Sequence, residues 1–176
     1  MNEPLRTFTG KQVHPLDLQL RDINIYDIAH SLAYQCRFTG HCRRFYSVAE
    51  HSWWVSVRMN PLYALEGLLH DAAETYLKDI AAPLKVKIPE YGKAEEQAMN
   101  LIMHRFDLAW AAEDIKKADR DMLCWEWREM MPEPELYAHY EWQSKPRWKL
   151  WNCGQAETAF LDRFFELCEE RKANAR

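Results

Sequence analysis

The stretch Pro61-Leu62-Tyr63-Ala64-Leu65-Glu66-Gly67-Leu68-Leu69-His70-Asp71-Ala72-Ala73-Glu74-Thr75-Tyr76-Leu77 sets the reading of the whole chain. Pro61 suits the first turn of a helix, and the segment is expected to run as one helix from Pro61 to Leu77. Tyr63 to Leu69 is mostly apolar, so it carries His70 and Asp71 towards a core. A polar pair pushed inward needs partners. Glu74 lies four residues after His70 and three after Asp71, so all three share one helical neighbourhood. Asp79 follows just past the expected helix end.

Helical periodicity also governs the flanks. Residues 1 to 22 read as an irregular lead-in with a short extended piece at Leu5 to Phe8. A first helix is expected over about Asn24 to Cys36, because Ile25, Ile28, Ala29, Leu32 and Cys36 follow the 3.6-residue period. A loop over 37 to 46 carries Arg37, Gly40, Arg43 and Arg44. Ser47 is a good N-cap, and Glu50 three residues later completes a capping box for a helix over about Val48 to Met59. Pro83 and Pro89 bracket a connector, and further helices are expected over about Glu90 to Phe106, Glu113 to Met131 and Gln155 to Arg171. The proline- and tryptophan-bearing segment 132 to 153 reads as a long surface loop. The expected architecture is all-α, a single domain over 1–176 with about six main helices.

Composition excludes several classes of function. The 176 residues are 48% hydrophobic and 28% charged, which describes a folded chain able to bury a core. A net charge of −4 and the lack of a basic block disfavour a long nucleic acid as partner. Arg37, Arg43 and Arg44 leave room for a small anionic ligand. Five scattered cysteines without a CxxC pair read as reduced thiols in a cytoplasmic protein. No signal-like segment opens the chain and no apolar run reaches membrane-spanning length. The tryptophans at 125, 127, 142, 148 and 151 exceed what one core obviously needs, which favours a homodimer or larger homo-oligomer.

A His-Asp dipeptide alone is weak evidence for a site. Two further residues strengthen it: His51 inside Val48-Ala49-Glu50-His51-Ser52, and Asp119 inside Lys117-Ala118-Asp119-Arg120. The set His51, His70-Asp71 and Asp119 matches the H…HD…D order of the HD phosphohydrolase superfamily. The stretches Tyr46 to Ser52, His70 to Glu74 and Asp79 to Lys85 resemble those of bacterial 5′-deoxynucleotidases. The small phage and prophage HD proteins are also similar and carry the Arg37-Phe38-Thr39-Gly40 type of loop, and the phage dATP triphosphohydrolases belong to the same neighbourhood. The resemblance runs from about Phe8 to Met131, and weakly through the last helix.

The resemblance implies a compact helical HD-domain bundle and a divalent metal held by His51, His70, Asp71 and Asp119. Two imidazoles and two carboxylates suit Co, Mn, Mg, Fe, Ni or Zn. By the same resemblance Glu74 positions or deprotonates water or protonates the leaving oxygen, and Asp79 is a second catalytic acid or helps Glu74 bind an additional cation. Arg37 suits a phosphate. Lys85 either assists it or is an exposed lysine, and Phe38 either stacks on a base or sugar or packs in the core. The expected reaction removes the 5′-phosphate of a deoxynucleoside monophosphate. The alternatives are release of triphosphate from a dNTP, and a non-catalytic nucleotide-binding module. His14, His30, His104 and His139 have no motif support and read as surface or structural residues, and His41 and Cys42 make no metal spacing.

Overall fold

A computed structural model describes residues 3–109, 112–132 and 147–174. The chain opens with a small hairpin, β1 (Leu5–Arg6) antiparallel to β2 (Gln12–Val13). Everything that follows among the described residues is helix or connection: α1 (Ile25–Tyr34), α2 (Val48–Arg58), α3 (Ala64–Leu69), α4 (Glu74–Leu77), α5 (Ala82–Lys85), α6 (Pro89–Phe106), α7 (Ala112–Met130) and α8 (Cys153–Asn174). The molecule is all-α in architecture, and α4 and α5 are single turns beside six longer helices.

The starts of α1 and α2 have a local cause. The Asn24 side chain accepts from the Tyr26 N–H at 2.9 Å and starts α1. The Ser47 hydroxyl accepts from the Glu50 N–H at 3.0 Å and starts α2. The other half of the expected capping box does not form. The Glu50 carboxylate turns away and accepts the backbone N–H groups of Lys149, Leu150 and Trp151 at 3.1, 2.9 and 2.9 Å. Three donors outbid the single cap N–H and tie the segment 147–152 to α2 as a strap.

α2 is the central helix and packs against α1, α3, α7 and α8. Its Val48, Ala49 and Val55 meet Ile28 and Leu32 of α1, Leu68 and Leu69 of α3, Met122 of α7 and Phe160 of α8 in one fully buried core. α8 contributes Ala156, Phe160, Phe164 and Leu167, a stripe at helical spacing. Close approach of α3 to α2 needs Gly67, where a Cβ would stand 2.6 Å from Met59 Cγ and 3.3 Å from the Ser56 Cα.

The expected helix over 61–77 is broken. A 3-10 turn over Pro61–Tyr63 leads into α3, and a tight turn at 70–73 separates α3 from α4. There the Ala72 N–H bonds the Leu69 carbonyl and the Glu74 N–H bonds the Asp71 carbonyl, so i→i+3 bonding replaces the α pattern. The lead-in also gains order that one strand signal did not predict. Asp27 is buried and accepts from the Thr9 N–H at 2.7 Å and the Thr9 hydroxyl at 2.8 Å, and His30 is stacked between Phe8 and Tyr34. Of the expected loop 132–153, residues 133–146 lie outside the described residues, Trp142 and His139 with them. Trp148 and Trp151 pack onto Trp54 and Trp53 of α2, so these aromatic rings cluster within the chain. All five cysteines are free, and among the described residues no helix is long and apolar enough to cross a membrane.

Candidate metal centre

The interruption between α3 and α4 places His70 and Asp71 opposite His51 of α2 and Asp119 of α7. His51 Nε2 lies 3.3 Å from His70 Nε2, 3.1 Å from Asp119 Oδ1 and 3.6 Å from Asp71 Oδ2. His70 Nε2 lies 3.1 Å from Asp71 Oδ2 and 4.0 Å from Asp119 Oδ1. The ligand atoms of His51, His70 and Asp119 fall within 4.8 Å of one another, a triad that can hold a metal ion.

Both imidazoles are oriented from behind. The Nδ1 of His70 faces the Gly67 carbonyl at 2.8 Å, and the Nδ1 of His51 faces Glu126 Oε1 at 2.5 Å. Each acceptor draws the ring proton to Nδ1 and leaves the Nε2 lone pair turned to the common point. The backbone carbonyl comes from the same α3 residue whose missing side chain lets α3 approach α2.

Charges at the site are strongly coupled. Burial and the Arg37 cation oppose protonation of His51, but Glu126 and Asp119 outweigh them and lift its pKa to about 9. Burial works against ionised Asp71, yet His70, His51 and Arg37 hold its carboxyl well below the usual carboxylate range. Asp119 is also lowered, because His51 outweighs the effect of burial. Glu74 behaves in the opposite way. Burial, then the charges of Asp71 and Asp79, push it up to about 10 against the pull of Arg37 and Lys85. Its Oε2 is buried and makes no hydrogen bond in the structure. A carboxyl that retains a proton beside ionised neighbours is a common mark of acid–base sites.

The other predicted residues fall into two groups. Arg37 is at the site: Nε donates to Glu126 Oε2 at 3.0 Å, Nη2 is in ion-pair contact with the same oxygen at 3.0 Å, and Nη1 stands 3.7 Å from Asp71 Oδ2. Asp79 is beside Glu74, held there by Gln35, whose Oε1 accepts the Asp79 N–H at 3.0 Å while its Nε2 donates to the Glu74 carbonyl at 3.2 Å. Phe38 is half-buried, edge-on to Trp127 at 5.8 Å and beneath the Arg37 guanidinium at 5.5 Å. Lys85 is committed to Glu95, with Nζ 2.6 Å from Oε1. His30 is structural, paired with Glu157 at 3.0 Å, and the Cys42 thiol bonds the Arg37 carbonyl at 3.2 Å.

Sequence reasoning missed Glu126, Gln35 and Tyr46. A signal for Glu126 existed: it lies seven residues after Asp119, two helical turns along one face of α7, between Trp125 and Trp127. Gln35 and Tyr46 flank the arginine-bearing loop and carry no spacing that marks them.

Fold and site together define a predominantly helical protein with a His/His/Asp triad, His51 buried and His70 and Asp119 half-buried, able to hold a metal. The chain is 36% identical over 175 residues to the uncharacterized protein YfdR of Escherichia coli K12, covering 96% of this chain and 97% of that protein. It therefore belongs to the YfdR family. It is also 37% identical over 113 residues to the uncharacterized protein RCAP_rcc00048 of Rhodobacter capsulatus, 58% of each chain. No family model matches the chain.

Proposed function

We propose that this protein is an HD-type phosphohydrolase that removes the 5′-phosphate of deoxynucleoside monophosphates, with a divalent metal held by His51, His70, Asp71 and Asp119. The observation that carries the reading is the convergence of the His51 and His70 Nε2 atoms and one Asp119 oxygen, with Asp71 Oδ2 3.1 Å from His70 Nε2, near Glu74, whose buried Oε2 makes no hydrogen bond. The H…HD…D order of those ligands supports the same assignment. The donor set fits a borderline N/O metal such as Co, Mn, Fe, Ni or Zn, and tolerates Mg.

A bound divalent ion would supply a Lewis acid for the phosphoryl group. The remaining work belongs to side chains of the chain. Arg37 offers the phosphate the fork nitrogen that Glu126 leaves free. Glu74 gives its proton to the departing 5′-oxygen as the P–O bond breaks, and regains one from the attacking water. Asp79 keeps the proton affinity of Glu74 high by its own charge. Phe38 borders this space and suits the sugar or base. Of the cations named for phosphate, Lys85 is taken by Glu95 and Arg37 is held by Glu126, whereas Arg43 and Arg44 are exposed.

The test is incubation with each dNMP and each dNTP in the presence of Co, Mn or Mg, with Asp71→Ala in parallel. Phosphate released from dNMPs and lost in the variant is the expected result. Triphosphate release from a dNTP replaces the monophosphate reading. No release from any substrate rejects both enzyme readings and leaves a nucleotide-binding module.

A further inference from the structure

We propose that Glu126 is a positioning residue that couples the imidazole of His51 to the fork of Arg37, so that one carboxylate sets both metal affinity and phosphate recognition. The inference rests on the metal-site reading above and extends it to a residue outside the ligand set.

Glu126 is fully buried on α7. A carboxylate has two oxygens and about four acceptor positions, and here three hydrogen-bond donors and an ion-pair contact occupy them. Oε1 receives His51 Nδ1 at 2.5 Å and the Tyr46 hydroxyl at 2.9 Å. Oε2 receives Arg37 Nε at 3.0 Å, with Nη2 in ion-pair contact at the same distance. A buried ionic cluster is a poor device for stability alone, since apolar residues of similar volume commonly do as well or better. The partners show what it does instead. Two of them are the imidazole that offers Nε2 to the metal point and the guanidinium that reaches towards Asp71.

Each oxygen has a distinct job. Oε1 keeps the His51 proton on Nδ1 and makes Nε2 a stronger ligand. Oε2 pins two fork nitrogens and leaves Nη1 as the arm directed at the site. A glutamine in this place cannot do both. With its amide NH2 towards His51, it meets an N–H donor or forces the proton to Nε2, where the metal belongs. With the NH2 towards Arg37, donor faces donor.

The experiment uses the full chain freed of metal, titrated with Co2+ and followed by its visible absorption, for wild type, Glu126→Gln and Glu126→Asp. Glu126→Gln is expected to bind Co2+ roughly 10- to 100-fold more weakly, with Glu126→Asp in between. At saturating Co2+, calorimetry with inorganic phosphate is expected to show roughly tenfold weaker binding to Glu126→Gln. Unchanged Co2+ affinity overturns the proposal. A Co2+ loss with unchanged phosphate affinity overturns the coupling. If Glu126→Gln does not unfold cooperatively, Tyr46→Phe decides: it removes one donor from Oε1 and is expected to weaken Co2+ about two- to tenfold, and no change overturns the proposal. Wild type that takes up no Co2+ sinks the metal-site reading itself, a result distinct from a variant that matches a Co2+-binding wild type.

Discussion

α2 sends two consecutive residues in different directions, and each direction is organised by a buried glutamate. On one side is Glu50 itself, whose carboxylate clasps three backbone N–H groups of the strap at 149–151. On the other side is His51, whose ring is held by Glu126 among Tyr46 and Arg37. Both carboxylates are well supplied with donors, but the donors differ in kind. Backbone amides are present whatever side chains the strap carries, so the Glu50 side fixes a chain path. The Glu126 side is built from ionisable side chains whose protonation matters, so it fixes an arrangement of charges around His51. Burial alone does not distinguish a clasp from a site, whereas the identity of the partners does.

The contrast yields predictions in which the site side alters chemistry and the strap side alters stability. On the proposed phosphohydrolase reading the largest effect is expected for Glu74→Gln, a fall in kcat of roughly 10²- to 10⁴-fold with metal uptake and unfolding temperature retained. Steady-state kinetics with a metal assay checks it, and a variant that keeps full activity removes Glu74 from the chemistry. Glu50→Gln is expected to cost about 1–3 kcal/mol of stability, because one amide oxygen replaces two carboxylate oxygens before three donors. Denaturant unfolding measures it, and Co2+ affinity should not move. A large Co2+ loss in that variant would erase the distinction between the two sides.

Gly67→Ala reaches both regions at once. Its new Cβ would stand 2.6 Å from Met59 Cγ, so α3 must shift or Met59 must rotate, at about 1–3 kcal/mol. Because the Gly67 carbonyl orients His70, the variant should lose metal affinity as well as stability. Retained Co2+ affinity would show that the turn at 70–73 holds His70 without that carbonyl.

The smallest effect is one of pH. In the metal-free protein the His51 pKa is raised from 6.5 to about 9. Its contribution to stability is therefore complete below pH 6.5 and is lost as pH rises through 9. Glu74 is raised too, so it acts in the same direction as pH rises towards 10. Asp71 is lowered and stabilises above its ordinary range, so its contribution is lost only in acid. The unfolding temperature of the metal-free protein should fall between pH 6.5 and 9, and added Co2+, which takes the place of the His51 proton, should flatten that slope. A flat or rising profile without metal would mean that the charges around His51 are balanced differently.

Much of this was legible in the sequence, and the reasons for the exceptions are physical. The helices, the Ser47 cap and the inward direction of His70 and Asp71 follow from local periodicity and capping chemistry, which need no distant partner. The break at 70–73 was not legible because the residues there are compatible with helix, and the contacts that tighten the turn arise only once α3 lies on α2. Glu50 fitted a capping box, and only the distant strap reveals its stronger partners. Glu126 belongs to the same class: its spacing from Asp119 was visible, but its three donors come from His51 of α2, Tyr46 and the Arg37 loop. The pairing of Lys85 with Glu95 likewise depends on how α5 lies against α6.

We propose that His51, His70, Asp71 and Asp119 together hold one divalent ion. The most direct test is the metal content of the full chain after dialysis against Co2+ or Mn2+, for wild type and for Asp119→Ala and His70→Ala, with folding checked by circular dichroism. The account predicts one tightly bound ion per chain in the wild type and none retained in either variant. A folded wild type that retains no ion, or variants that retain it undiminished, would contradict it.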